Sequence, residues 1–240
     1  RAVDVLRSEG ASLSSSSSSS RKLGFRVNPS NAETEGTIAS LNVSTPDSKF
    51  GVDLQCHWEE LVEAYAESPF LDSVHVHVGS GMGGERQLAA GVRATLDFAR
   101  AVNDRVPRRI RFVDIGGGLP VNYLGEGSKI SFESYAAVLR ETCPELFDPE
   151  AFEGVFTEFG QSLNAKAGFL ASRVEFVKKE PTRRNHLAVV HFGADLCVRQ
   201  AYGGADHPRR FAVFDHDGKA LDDDGAVEGA AAPKKKNWSV

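Results

Sequence analysis

The chain has 240 residues, of which 41% are hydrophobic and 25% charged, enough for one sizeable globular core, either a single domain or one domain plus part of another. A formal net charge of -5 argues against general nucleic-acid binding, and three widely spaced cysteines (Cys56, Cys143, Cys197) support neither a disulfide framework nor a zinc knuckle. No uninterrupted apolar run is long enough to span a bilayer, so a soluble, cytoplasmic protein is expected, with an organelle as the alternative because the first residue is Arg1 rather than Met.

Residues 1–23 contain seven consecutive serines, Ser14 to Ser20, and read as a low-complexity linker without a core of its own. From Leu23 the pattern becomes short apolar strands alternating with longer amphipathic stretches, the signature of βα units and a parallel sheet. Strands are expected near Gly24–Val27, Val74–Val78, Ile110–Ile115 and Gly154–Glu158. Helices are expected at His57–Glu67, Arg86–Val106 and Phe132–Glu141, the second repeating apolar residues through Leu88, Val92, Leu96 and Ala99. Longer runs, Phe169–Val177, Leu187–Val198 and Arg210–Phe214, read as antiparallel strands, the last turning at Asp215–Gly218. The organisation expected is therefore a linker (1–23), a partial α/β barrel (24–166), the start of a β domain (167–219) and a tail without structure (220–240).

In parallel α/β folds reactive groups collect at the C-terminal ends of the strands. Three expected strands end in such groups: His75-Val-His77-Val-Gly79-Ser80, Asp114-Ile-Gly116-Gly117-Gly118, and Glu158-Phe-Gly160-Gln161. Three glycines after a strand let consecutive backbone amides approach an anion, although a plain tight turn uses the same residues. Strand alternation places His75 and His77 on one face. A phosphate loop, a carboxylate and an imidazole at successive strand ends are what a pyridoxal phosphate site needs, the carboxylate keeping the pyridine nitrogen protonated.

The order FRVNP, SKFG, HVHVGSG, FVDIGGGLP and EFGQSLNAKAG, from about Gly24 to Lys179, resembles the barrel of fold-type III pyridoxal-phosphate decarboxylases acting on diaminopimelate, ornithine or arginine. The run LNAKAGFLASRVEFVK looks closest to the diaminopimelate branch. The resemblance implies a partial (β/α)8, TIM-like barrel of the alanine-racemase type, an amino-acid substrate, a homodimer and pyridoxal 5'-phosphate as cofactor. It implies that His77 stacks on the cofactor ring, that Ser80, Gly116, Gly117 and Gly118 attend its phosphate, and that Glu158 pairs with the pyridine nitrogen. Gly160 and Gln161 belong to the family's Glu-Pro-Gly-Arg motif, in which Phe159 and Gln161 here replace the proline and the arginine. Gln161 donates a hydrogen bond but no charge.

The family's Schiff-base lysine motif has no counterpart, and Lys22, Lys49 and Lys166 occupy other motif positions, so no catalytic residue is identified. About four βα units are visible where a barrel has eight, and Cys197 in GADLCVRQ, placed in a β strand, is not the family's late catalytic cysteine. The expectation is a fragment of a decarboxylase, inactive as it stands. Two alternatives remain: a metal-dependent hydrolase using His75 and His77 with His191 and Asp195, and a non-catalytic partner of a complete decarboxylase.

Overall fold

The computed structural model describes residues 22–30, 43–81, 84–123, 125, 127, 130–179, 186–198, 202, 211–221 and 238–239. The serine tract and most of the expected tail lie outside them. The chain divides into two units, one comprising Arg1–Asn122 and Gly127–Ala165, the other Tyr123–Glu126 and Lys166–Val240.

In the first unit the elements run β1 (Gly24–Asn28), β2 (Val52–Asp53), α1 (Leu54–Glu67), β3 (Ser73–Val76), α2 (Glu85–Arg105), β4 (Phe112–Asp114), α3 (Phe132–Thr142), β5 (Gly154–Phe156) and α4 (Gly160–Asn164). A 3-10 turn over Pro144–Phe147 leads from α3 toward β5. The strands form one sheet in the order β2-β1-β3-β4-β5, every neighbouring pair parallel. The helices begin where side chains satisfy their first amides. Asp53 accepts from the N–H groups of Gln55 and Cys56 at the start of α1, and Ser131 and Ser134 form a reciprocal capping box on α3. Helix α2 ends as Val106, followed by Pro107, turns extended.

The apolar stripe of α2 is the centre of the core. Leu88, Val92, Leu96, Ala99 and Val102 are buried together with Val27, Val74, Val76 and Val113 of the sheet, and with Leu61 and Tyr65 of α1. Each of these buried Val and Leu side chains contributes about 1.5–3 kcal/mol by leaving water. The Tyr65 hydroxyl donates to Ser73 O (2.7 Å) and accepts from Phe25 N–H (3.0 Å), joining β1 and β3 through one buried group.

Register sets the second face of the sheet. Arg26 lies opposite His75, and His75 opposite Asp114, which in turn lies opposite Phe156. With side chains alternating, this polar row and the residues two positions on, Asn28, His77, Gly116 and Glu158, share the face away from the helices.

The expected strands and helices of this unit are present; β1 runs one residue further than expected, β3 and β5 stop two residues earlier, and β4 keeps only Phe112–Asp114 of the expected Ile110–Ile115. The short strand β2 was not anticipated: two residues carry no periodicity. It forms because Gly51 (φ +76°) fits against the β1 backbone, where a Cβ would lie 2.9 Å from Val27 C.

In the second unit β6 (Val174–Lys178) pairs antiparallel with β7 (His186–Val190), and β7 pairs parallel with β8 (Trp238–Ser239). The expected turn at Asp215–Gly218 is present, but the strand expected over Arg210–Phe214 is reduced, among its described residues, to one isolated bridge between Phe214 and Ala220, because the Asp215 N–H and side chain are taken up by the turn with Lys219. Three further expectations are corrected. The strand begins at Val174, not Phe169, whose side chain is 91% exposed. The run Leu187–Val198 leaves the ladder after Val190, because Asp195 accepts the Gly193 N–H and a turn follows in which Cys197 N–H donates to Gly193 O. Cys197 is therefore in that turn and not in a strand. Trp238–Ser239, assigned to a tail without structure, instead form β8.

Candidate functional site

The strand ends of the first unit gather the polar side chains. β3 supplies His75 and continues to His77 and Ser80, β4 ends at Asp114 before the glycines, and the segment after β5 brings Glu158. Glu158 Oε2 lies 3.6 Å from His75 Nε2 and 3.5 Å from His77 Nδ1. Ligand atoms of His75, Asp114 and Glu158 all lie within 4.8 Å of one another. His75 Nε2 is buried without a hydrogen-bond partner among the described residues, the Glu158 carboxylate standing just beyond hydrogen-bond length.

The glycine loop is built by close backbone approach. Gly116 (φ +69°) and Gly118 (φ +106°) occupy the left-handed region. A Cβ on Gly117 would sit 2.4 Å from Glu158 O, and one on Gly118 1.9 Å from Gly79 O. Three hydrogen bonds lock the loop to its neighbours: Glu158 N–H to Gly116 O (2.8 Å), Gly81 N–H to Gly118 O (3.0 Å) and Ile115 N–H to Phe156 O (3.0 Å). The Gly116 N–H donates to Asp114 Oδ1 (2.9 Å) and the Gly117 N–H to His77 Nδ1 (3.2 Å). Two of the three amides expected to face a phosphate are thus already directed at side chains, and the Gly118 N–H has no such partner among the described residues.

His77 Nε2 lies 3.3 Å from Ser80 Oγ. Burial, together with the positive charge of Arg26, pushes the His77 imidazole below its ordinary value, against the pull of Glu158. Arg26 was not among the expected site residues. Its Nη2 donates to His77 O (3.3 Å) and its guanidinium lies 4.9 Å from the Phe50 ring. Strand alternation from Asn28 back to Arg26 was the signal available for it.

Gly160 and Gln161 begin α4, and both are exposed. Phe159, in place of the family proline, packs its ring 5.4 Å from Phe132 and 6.2 Å from Tyr135 of α3. His191 pairs with Glu175 (2.7 Å) and Asp195 caps Gly193, so both proposed further metal ligands are engaged locally within the second unit. Among the described lysines, Lys22 Nζ lies over the Phe112 ring (3.8 Å), Lys49 over Phe50 (5.1 Å), and Lys166 donates to Gly125 O (2.5 Å).

Residues 7–165 match the family described as pyridoxal-dependent decarboxylase, pyridoxal binding domain. The chain belongs to that family. The family's cofactor is pyridoxal phosphate, and the chain is similar to diaminopimelate decarboxylases of several organisms. It is 29% identical to the diaminopimelate decarboxylase of Archaeoglobus fulgidus over 192 residues, covering 78% of this chain and 43% of the relative. It is 32% identical over 139 residues to the biosynthetic arginine decarboxylase of Xanthomonas campestris pv. campestris, covering 53% of this chain and 21% of that protein. The structure of diaminopimelate decarboxylase from M. jannaschii in co-complex with L-lysine shares the fold at TM-score 0.70 and 22% identity, over 88% of this chain and 46% of that one. The Helicobacter pylori diaminopimelate decarboxylase complexed with L-lysine does so at TM-score 0.61 and 22% identity, over 83% and 46%. The chain thus spans less than half the length of these relatives, and its sheet is part of their α/β barrel. No described helix is long and apolar enough to cross a membrane.

Proposed function

We propose that this chain supplies the cofactor-binding part of a decarboxylase that removes the α-carboxylate of a basic or diamino acid, diaminopimelate being the first candidate. The convergence of His77, Ser80, the glycine loop and Glu158 at adjacent strand ends carries this reading. The residues present fit pyridoxal phosphate. Gly118 and Ser80 offer donors for its phosphate, a side chain at Gly117 or Gly118 would obstruct the loop, His77 offers an aromatic face, and Glu158 an acceptor for a pyridinium N–H. When bound, the cofactor supplies an electron sink for the charge left by departing CO₂. Glu158 would hold the proton on the pyridine nitrogen, and Arg26 and burial would keep His77 neutral beside it. Gly160 and Gln161 would line the phosphate side without adding charge.

Of the described lysines of the first unit, Lys22 lies over the Phe112 ring and Lys49 over the Phe50 ring, so non-covalent cofactor binding is expected here. In the whole protein a homodimer in the cytoplasm is the arrangement proposed. The L-lysine held by the related M. jannaschii and Helicobacter pylori enzymes supports an amino-acid ligand. The His75, Asp114 and Glu158 cluster could also hold a cation, but metal chemistry leaves the glycine loop unexplained.

The test is titration of the purified chain with pyridoxal phosphate, followed by its absorbance, with borohydride trapping and release of labelled CO₂ from meso-diaminopimelate, ornithine and arginine. Saturable binding that Glu158→Gln weakens, without a trapped adduct, is expected. Binding unaffected by Glu158→Gln, or displaced by stoichiometric zinc held through His75, would refute the reading. Cofactor binding without turnover, together with co-purification of a complete decarboxylase, would assign the chain the role of partner subunit.

A further inference from the structure

Resting on the cofactor reading above, we infer that the Gly117 amide fixes His77 in one neutral tautomer and thereby turns the Ser80 hydroxyl proton toward the bound anion. His77 is then a positioning residue for Ser80 as well as an aromatic surface. The argument is one of donors and acceptors. The Gly117 N–H reaches His77 Nδ1 at 3.2 Å, and only a ring nitrogen with a free lone pair can accept it. The ring proton therefore sits on Nε2, which is 3.3 Å from Ser80 Oγ. A hydroxyl that accepts from Nε2–H has its own single proton left to give. Ser80 becomes an outward-facing donor, matched to a ligand group that only accepts, such as a phosphate dianion.

The same geometry removes one apparent partner from Glu158. A lone pair on Nδ1 cannot donate to the carboxylate 3.5 Å away, so His75 Nε2 is the imidazole atom left to face Glu158 with a proton. The charged and titratable groups around His77 are Arg26 from β1, His75 on β3, Asp114 at the end of β4 and Glu158 after β5. Protonation of His77 would set an Nδ1–H against the Gly117 N–H, two donors face to face, so the loop and the ring oppose the cation together.

Long-range ¹H–¹⁵N spectra of the full chain read the tautomer directly, and inorganic phosphate and pyridoxal phosphate serve as the binding probes. A pyrrole-type Nε2 and an acceptor-type Nδ1 on His77 are expected. Ser80→Ala and His77→Phe should each weaken phosphate binding by roughly tenfold or more, the worth of a hydrogen bond to a charged group. His77→Gln, whose side-chain amide can stand where Nε2–H stood, should recover most of it, which a merely structural role for His77 would not predict. An Nδ1–H tautomer, or a His77→Phe chain that binds phosphate as tightly as the unaltered one while Ser80→Ala does not, overturns the inference and leaves the cofactor site standing. An unaltered chain that binds neither probe overturns the cofactor reading instead, while an Nε2–H resonance would still uphold the orientation of Ser80.

Discussion

Gly118 shows how much of the site depends on single atoms. Its φ of +106°, and the 1.9 Å that would separate a Cβ from Gly79 O, leave no room for a side chain. Gly118→Ala should lower stability by about 1–3 kcal/mol or more from backbone strain alone, measured by urea unfolding, and abolish cofactor binding by opening the loop. His77 gives a pH dependence of definite sign. Its folded-state value is depressed, so the folded protein binds fewer protons than the unfolded chain. Its contribution is fully present above the ordinary histidine value of about 6.5 and is lost as pH falls below that toward the depressed value. Stability measured by thermal unfolding should therefore fall on acidification through that window, and less so in His77→Phe. Gln161→Arg, restoring a guanidinium, should tighten pyridoxal phosphate binding in an equilibrium titration; an unchanged dissociation constant would mean that another group provides the charge.

Among the elements, α2 was readable because its apolar residues recur at helical spacing and the fold buries them as that spacing demands. The join between β1 and β3 was not readable. Nothing in the residues around Tyr65 says that its hydroxyl will bridge Phe25 N–H and Ser73 O forty and eight positions away. Tyr65→Phe should cost about 1–3 kcal/mol by removing the partner of two part-buried backbone groups, visible as a lower urea midpoint. The β-rich part misled for a related reason. Apolar content from Leu187 to Val198 resembles a strand, but Asp195 capping Gly193 ends the ladder, and local hydrogen bonding of that kind overrides composition.

At the scale of the molecule, the first unit is an α/β sheet with helices on one face and a polar row on the other, and among the described residues β5 is its edge. On β5 the side chains of Val155 and Phe156 are 37% and 46% exposed. Unpaired edges favour association, so the isolated chain should self-associate at high concentration in sedimentation velocity, and Val155→Lys should reduce that without changing the thermal midpoint.

The sequence by itself determined the family and, apart from the two-residue β2, the alternation of strands and helices from Gly24 to Phe156, because period and motif order are local properties written along the chain. Only the tertiary structure decided that Arg26 donates to the His77 carbonyl, that Gly117 donates to His77 Nδ1 and not outward, and that one Glu158 oxygen lies 3.6 Å from His75 and 3.5 Å from His77. Those facts depend on the register between parallel strands far apart in the chain, which is fixed by packing of the sheet against α1 and α2 and leaves no trace in any single segment.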